Sequence, residues 1–193
     1  MTPFTSGNKR LRSAVVLTLS ISLLFSIPAG AQEARLTDIV ITNTRDHLLL
    51  YFTVTGCFTA DMEKAIENGI VTTFTFFVRL YEPRSFWWDR TMADLKVSHE
   101  IQYDNLKKVY NVKLSETNKS ISVKDFDEAK KLTSEIVGLK VIELPKLHKG
   151  SRYRIRMMAE LDEIKLPFYL HYVLFFLSLW DFETDWYTVD FIY

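Results

Sequence analysis

Trp87, Trp88, Asp89 and Arg90 are the side chains best suited by type and spacing to act on another molecule. Adjacent indoles offer flat faces on which a carbohydrate, lipid or peptide can stack, and the acid–base pair that follows can orient it. Pro83 and the alternating segments on either side place the string in a hairpin loop. The simpler alternative is architectural: one indole plugs the end of a sheet sandwich and the other covers it.

Other reactive types are present without the spacing that chemistry needs. There is no HExxH pair, CxxC, phosphate-binding loop, GxSxG elbow or dinucleotide glycine fingerprint. His47, His99, His148 and His171 are scattered, and none has a second ligand at helical or strand spacing, so no metal site is expected. Cys57 is the only cysteine, which rules out an internal disulfide. It ends an apolar run beside Phe58 with no cationic neighbour to hold a thiolate, so a buried, inert thiol is expected. Glu160, Asp162 and Glu163 could supply paired carboxylates, but they also read as the solvated end of a strand. Arg152, Arg154 and Arg156 make a basic stripe attractive to phosphate or acidic lipid, with cross-strand pairing to Asp or Glu the commoner outcome. No catalytic residue, metal or cofactor is expected.

The elements that must position these groups are mostly strands. Leu48, Leu50, Phe52 and Val54 alternate on one face; so do Ala93, Leu95, Val97, Ile101 and Tyr103. Tyr153, Ile155, Met157, Ala159 and Leu161 repeat the pattern against the arginines, and Tyr110–Leu114 and Ile121–Val123 do so briefly. Ile70 to Tyr81 is apolar or threonine on both faces, which predicts a central strand covered on both sides. Thr59 can cap a short helix carrying Met62, Ala65 and Ile66 and ended by Gly69. Asp125 and Glu128 have capping-box spacing ahead of a stripe of Phe126, Ala129, Leu132 and Ile136 closed by Gly138. The expected fold class is mainly β (α+β), an antiparallel sheet or β-sandwich of about 7–9 strands with two short helices packed on it.

The chain begins with Lys9, Arg10 and Arg12, then an apolar stretch from Ala14 to Ile27, Pro28, and the small-x-small Ala29-Gly30-Ala31. That order predicts a secretory signal peptide over residues 1–31. As a helix the apolar stretch would reach roughly 21 Å, short of the roughly 30 Å hydrocarbon core, which suits cleavage better than a retained anchor. Residues 32–193 then form a single β-rich domain, exported and most simply periplasmic, with membrane association left open. The three basic residues of the signal leave 21 basic against 24 acidic, a formal −3, so no nucleic-acid partner is expected. Phe168 to Trp180 carries no charge and is too short to span a bilayer as a helix; it reads as a buried closing segment or an interfacial helix.

The order of features resembles the bacterial domain-of-unknown-function family 4390. The resemblance rests on the signal peptide, Ala34-Arg35-Leu36, Glu67-Asn68-Gly69-Ile70 and Trp87-Trp88-Asp89. Further along it rests on Phe126 to Leu132, Leu161-Asp162 before Leu166-Pro167, and Trp180 and Trp186. It implies an envelope location and assigns no catalytic residue. The function expected is a non-enzymatic binding or accessory domain, its partner an envelope protein or a membrane surface. A small outer-membrane β-barrel, suggested by the alternation from Tyr187 to Tyr193, and an enzyme with an unrecognised site are the alternatives.

Overall fold

The computed structural model describes residues 34–86, 88–162 and 183–193. The expected signal peptide, Trp87, Glu163, His171 and the apolar segment after Pro167 lie outside them. Gln32–Tyr193 forms one compact unit.

The alternating segments are strands. β1 (Arg35–Asn43) and β2 (His47–Thr55) pair as a hairpin whose turn is closed by the Thr44 hydroxyl, which accepts from the Asp46 and His47 N–H groups. After α1 (Ala60–Glu67) come β3 (Thr72–Glu82), β4 (Arg90–Asp104), β5 (Val109–Leu114) and β6 (Lys119–Val123). After α2 (Phe126–Ser134) come β7 (Glu135–Glu143), a 3-10 turn at Leu144–Lys146, β8 (Arg152–Leu161) and β9 (Tyr187–Ile192). β7 returns to the first hairpin, giving a three-stranded sheet ordered β1-β2-β7. The others form a six-stranded sheet ordered β6-β5-β4-β3-β8-β9. Every strand pair is antiparallel. Both sheets are open among the described residues, with β6 and β9 as the two edges of the larger one, so these strands do not close a barrel.

One core joins the sheets. Leu48, Leu50, Phe52 and Val54 of β2 are buried, as are Phe74, Phe76, Val78 and Leu80 of β3. Phe52 meets Phe76 edge-on with ring centroids 5.8 Å apart, a favoured geometry between quadrupoles. The two-sided apolar run does become a central strand: β3 lies between β4 and β8, in continuous register with β8 from Phe74 to Tyr81. Its other face is covered in part, since Thr75 is fully buried and its hydroxyl donates to the Asp162 carboxylate at 2.6 Å.

Both helix caps form. Thr59 Oγ1 accepts from the Met62 N–H, and Asp125 Oδ1 from the Glu128 N–H at 2.8 Å. α1 buries Met62, Ala65 and Ile66, and Gly69 follows it at φ +86°. The second helix stops earlier than the apolar stripe predicts. It ends at Ser134, and Ile136 and Gly138 belong to β7, where Ile136 pairs with Phe52. The backbone of Glu135–Glu143 bonds to β2, and burial of Ile136, Leu139, Val141 and Ile142 against the core outweighs one further helical turn. Gly138 does adopt a left-handed φ of +68°, in a strand irregularity and not at a helix end.

Candidate functional site

β3 and β4 are the two longest strands, and the loop joining them carries the aromatic string. Pro83 has no N–H to continue the ladder, so pairing stops at Glu82 opposite Arg90. A register shift falls between Leu80 and Tyr81 where the hairpin approaches its tip. Such an irregularity bends and re-aims a hairpin.

The base of the loop is pinned by charge. Arg90 lies 3.8 Å from Glu82 on the opposite strand. Asp89 Oδ2 lies 3.6 Å from Arg154 of β8. Arg154 in turn holds Asp190 of β9 with two bonds, Nε to Oδ1 at 2.7 Å and Nη2 to Oδ2 at 3.0 Å. Those bonds hold the Asp190 carboxyl below its ordinary range and raise the Arg154 guanidinium above its own. Three elements are therefore tied together at one end of the six-stranded sheet.

Beyond that base the rings are bare. Trp88 is 91 % exposed and Phe86 93 % exposed. Trp87 is outside the described residues. Of the sequence-derived candidates, Asp89 and Arg90 thus act on their own sheet as clamps, and Trp88 projects to solvent without plugging the sandwich. Phe86 joins Trp88 as the second free ring. Only its place inside the Phe-Trp-Trp string hinted at it, because the exposure of a loop aromatic has no period to read.

The remaining candidates fall into other settings. Cys57 is buried, and burial pushes its thiol up to about 12. It stays a protonated, inert group at ordinary pH. Asp162 is engaged by Thr75, and Glu160 forms an isolated bridge to Glu183. The arginine stripe is divided: Arg154 pairs with carboxylates, while Arg156 stacks over the Trp186 ring at 5.0 Å, opposite Arg79 at 4.9 Å. Among the described residues no three His, Cys, Asp or Glu side chains are grouped to hold a metal ion.

One constellation escaped the sequence. His99 lies on the core face of β4, 1 % exposed, with its ring edge-on to Phe76 at 4.9 Å. Its Nδ1 is 3.0 Å from the Thr133 carbonyl at the end of α2, and its Nε2 is 3.2 Å from both oxygens of Glu116 in the β5–β6 turn. A carbonyl and a carboxylate are both acceptors, so a ring with a single N–H satisfies one of them. The set is fully bonded only when a second proton sits on Nε2 or on the carboxyl group. Strand period sets residue 99 on the same face as Val97 and Ile101, but nothing in the sequence joins it to Glu116 or to a helix-terminal carbonyl.

Residues 31–190 match the model of a family described as a domain of unknown function (DUF4390). No curated protein and no solved structure matches the chain.

Proposed function

Starting from the fact that the chain belongs to the DUF4390 family of domains of unknown function, we propose that it is an exported envelope protein and a non-enzymatic binding or accessory domain. The contact site in this reading is the tip of the β3–β4 hairpin. The observation that carries it is the pair of nearly fully exposed rings, Phe86 and Trp88, on a base held by Arg90–Glu82 and Asp89–Arg154. Leaving two large apolar rings in water forgoes roughly 1.5–3 kcal/mol apiece of burial free energy. Rings presented this way on a rigid base are anchors that a partner covers. Export is supported by the Lys9-to-Ala31 pattern, and the non-catalytic reading by a thiol held protonated and by the hydrogen bond that engages Asp162 with Thr75.

A photo-crosslinking residue at position 88 in the native host tests the site, with position 106 as control. Leu106 is 95 % exposed but sits in the β4–β5 turn, at the opposite end of β4. A specific adduct from 88 and none from 106 is the expected result. Equal labelling from both would sink the hairpin-tip reading. Fractionation of the same cells, with N-terminal sequencing, should find the protein in the envelope beginning at Gln32.

A further inference from the structure

Residues distant in sequence meet at the hairpin-tip end of the six-stranded sheet. The register places Glu82 opposite Arg90, Tyr81 opposite Arg154, and Arg152 opposite Ile192. Backbone bonds from Gly150 to Tyr193 and from Tyr193 to Ser151 bring the β7–β8 connection to the same end. Ile192, 71 % exposed, therefore joins Phe86 and Trp88 as bare apolar surface there.

The charges at this end divide into two sets. The acidic side chains Glu82, Asp89 and Asp190 are all taken up by Arg90 and Arg154. Arg84, Lys149 and Arg152 are exposed and form no ion pair among the described residues, although the charge of Arg152 also acts on Asp190. The surplus at this rim is therefore cationic, although residues 32–193 as a whole are formally negative.

We propose that this rim docks on an anionic bilayer surface, with Phe86 and Trp88 entering the headgroup region and Arg84, Lys149 and Arg152 facing lipid phosphates. The inference rests on the hairpin tip being the contact site and names what it contacts. Two features favour lipid over a protein groove. The rings stand out from the tip at over 90 % exposure, a shape that suits insertion into a soft interface. They also share their end of the sheet with cations outside any ion pair, as the apolar residues of amphipathic membrane-surface elements do.

The test is flotation of the chain from Gln32 to Tyr193, the compact unit containing the whole core, with vesicles of phosphatidylcholine carrying a minority of phosphatidylglycerol. The wild-type chain should float with these vesicles and not with phosphatidylcholine alone. F86S/W88S should weaken binding by about tenfold or more, since both anchors are lost. R84Q/K149Q/R152Q should weaken it roughly fivefold per cation removed, an effect that added salt reproduces in the wild type. All these positions are exposed, so unchanged circular dichroism and melting temperature are expected in both variants. Wild-type binding that ignores phosphatidylglycerol, or variants that float like the wild type, would overturn the proposal. If vesicles do not bind while position 88 still crosslinks to a protein, the lipid assignment falls and the contact site stands. If neither vesicle nor crosslink is found, both fall together.

Discussion

Burial of Cys57 ties protein stability to alkaline pH. Its thiol ionises at 9.0 in an unperturbed setting and at about 12 in the fold. Between those values the unfolded chain has released this proton and the native chain has not. The native state binds more protons, so stability falls as pH rises, by at most about 1.4 kcal/mol per pH unit from this one group. Its contribution is fully present below pH 9.0 and lost as pH climbs toward about 12. The slope of unfolding free energy against pH in that window should therefore be shallower in C57A than in the wild type. Equal slopes would show that the thiol is not buried. At the same scale, E116A should strand a ring nitrogen of His99 in the core and cost about 1–3 kcal/mol, read as a lower urea midpoint at constant slope. E116Q, which keeps an acceptor, should recover most of that loss. Neither His99–Glu116 nor Arg154–Asp190 was legible in the sequence, because the partners sit 17 and 36 positions apart and meet only through strand register.

Among the elements, glycine positions separate backbone strain from crowding. Gly138 and Gly150 both hold left-handed φ values, +68° and +78°. A Cβ at Gly150 would meet nothing within 4 Å, whereas one at Gly138 would lie 3.3 Å from the Tyr51 hydroxyl. G150A should therefore cost about 1 kcal/mol, the steric penalty of an L residue in this region. G138A should cost more, since the Tyr51 ring must also give way. Chemical denaturation of the two variants checks the order, and a G150A protein less stable than G138A would refute it. Most elements could be read from the chain: the central strand from its two-sided apolar run, the alternating strands from their period, both helix starts from Thr59 and Asp125. β7 was hidden. Ile136 falls one turn after Leu132 and Gly138 mimics a helix terminator, so local pattern favoured helix where pairing with β2 decided strand.

On the scale of the molecule, Phe76 is the joint between layers. It contacts Phe52 in the other sheet and the His99 ring on its own, at 0 % exposure. F76A should cost about 3–5 kcal/mol through lost burial and the cavity left behind. Because the core is shared, near- and far-ultraviolet dichroism should report one transition at the same lowered midpoint. Separate midpoints for the two probes would show that the core does not unfold as one unit. A mainly β fold around one core followed from strand spacing and composition, as a single antiparallel sheet or a sandwich. Which strands share a sheet did not, since alternation says which face is buried and is silent about neighbours.

The pairing of β2 with β7 bears on when the chain can fold. Leu48 must wait for Ile142, as Phe74 must wait for Leu161, before either ladder closes. Contacts so distant along the chain carry a loop-closure cost that hairpins alone do not offset, and they slow folding. An emerging N-terminal half can form the β1–β2 and β3–β4 hairpins but lacks the strand that completes the first sheet and the one that flanks β3. On the proposed export route this delay is useful. A polypeptide whose sheets are completed from its C-terminal half would be slow to become compact while it is still being threaded.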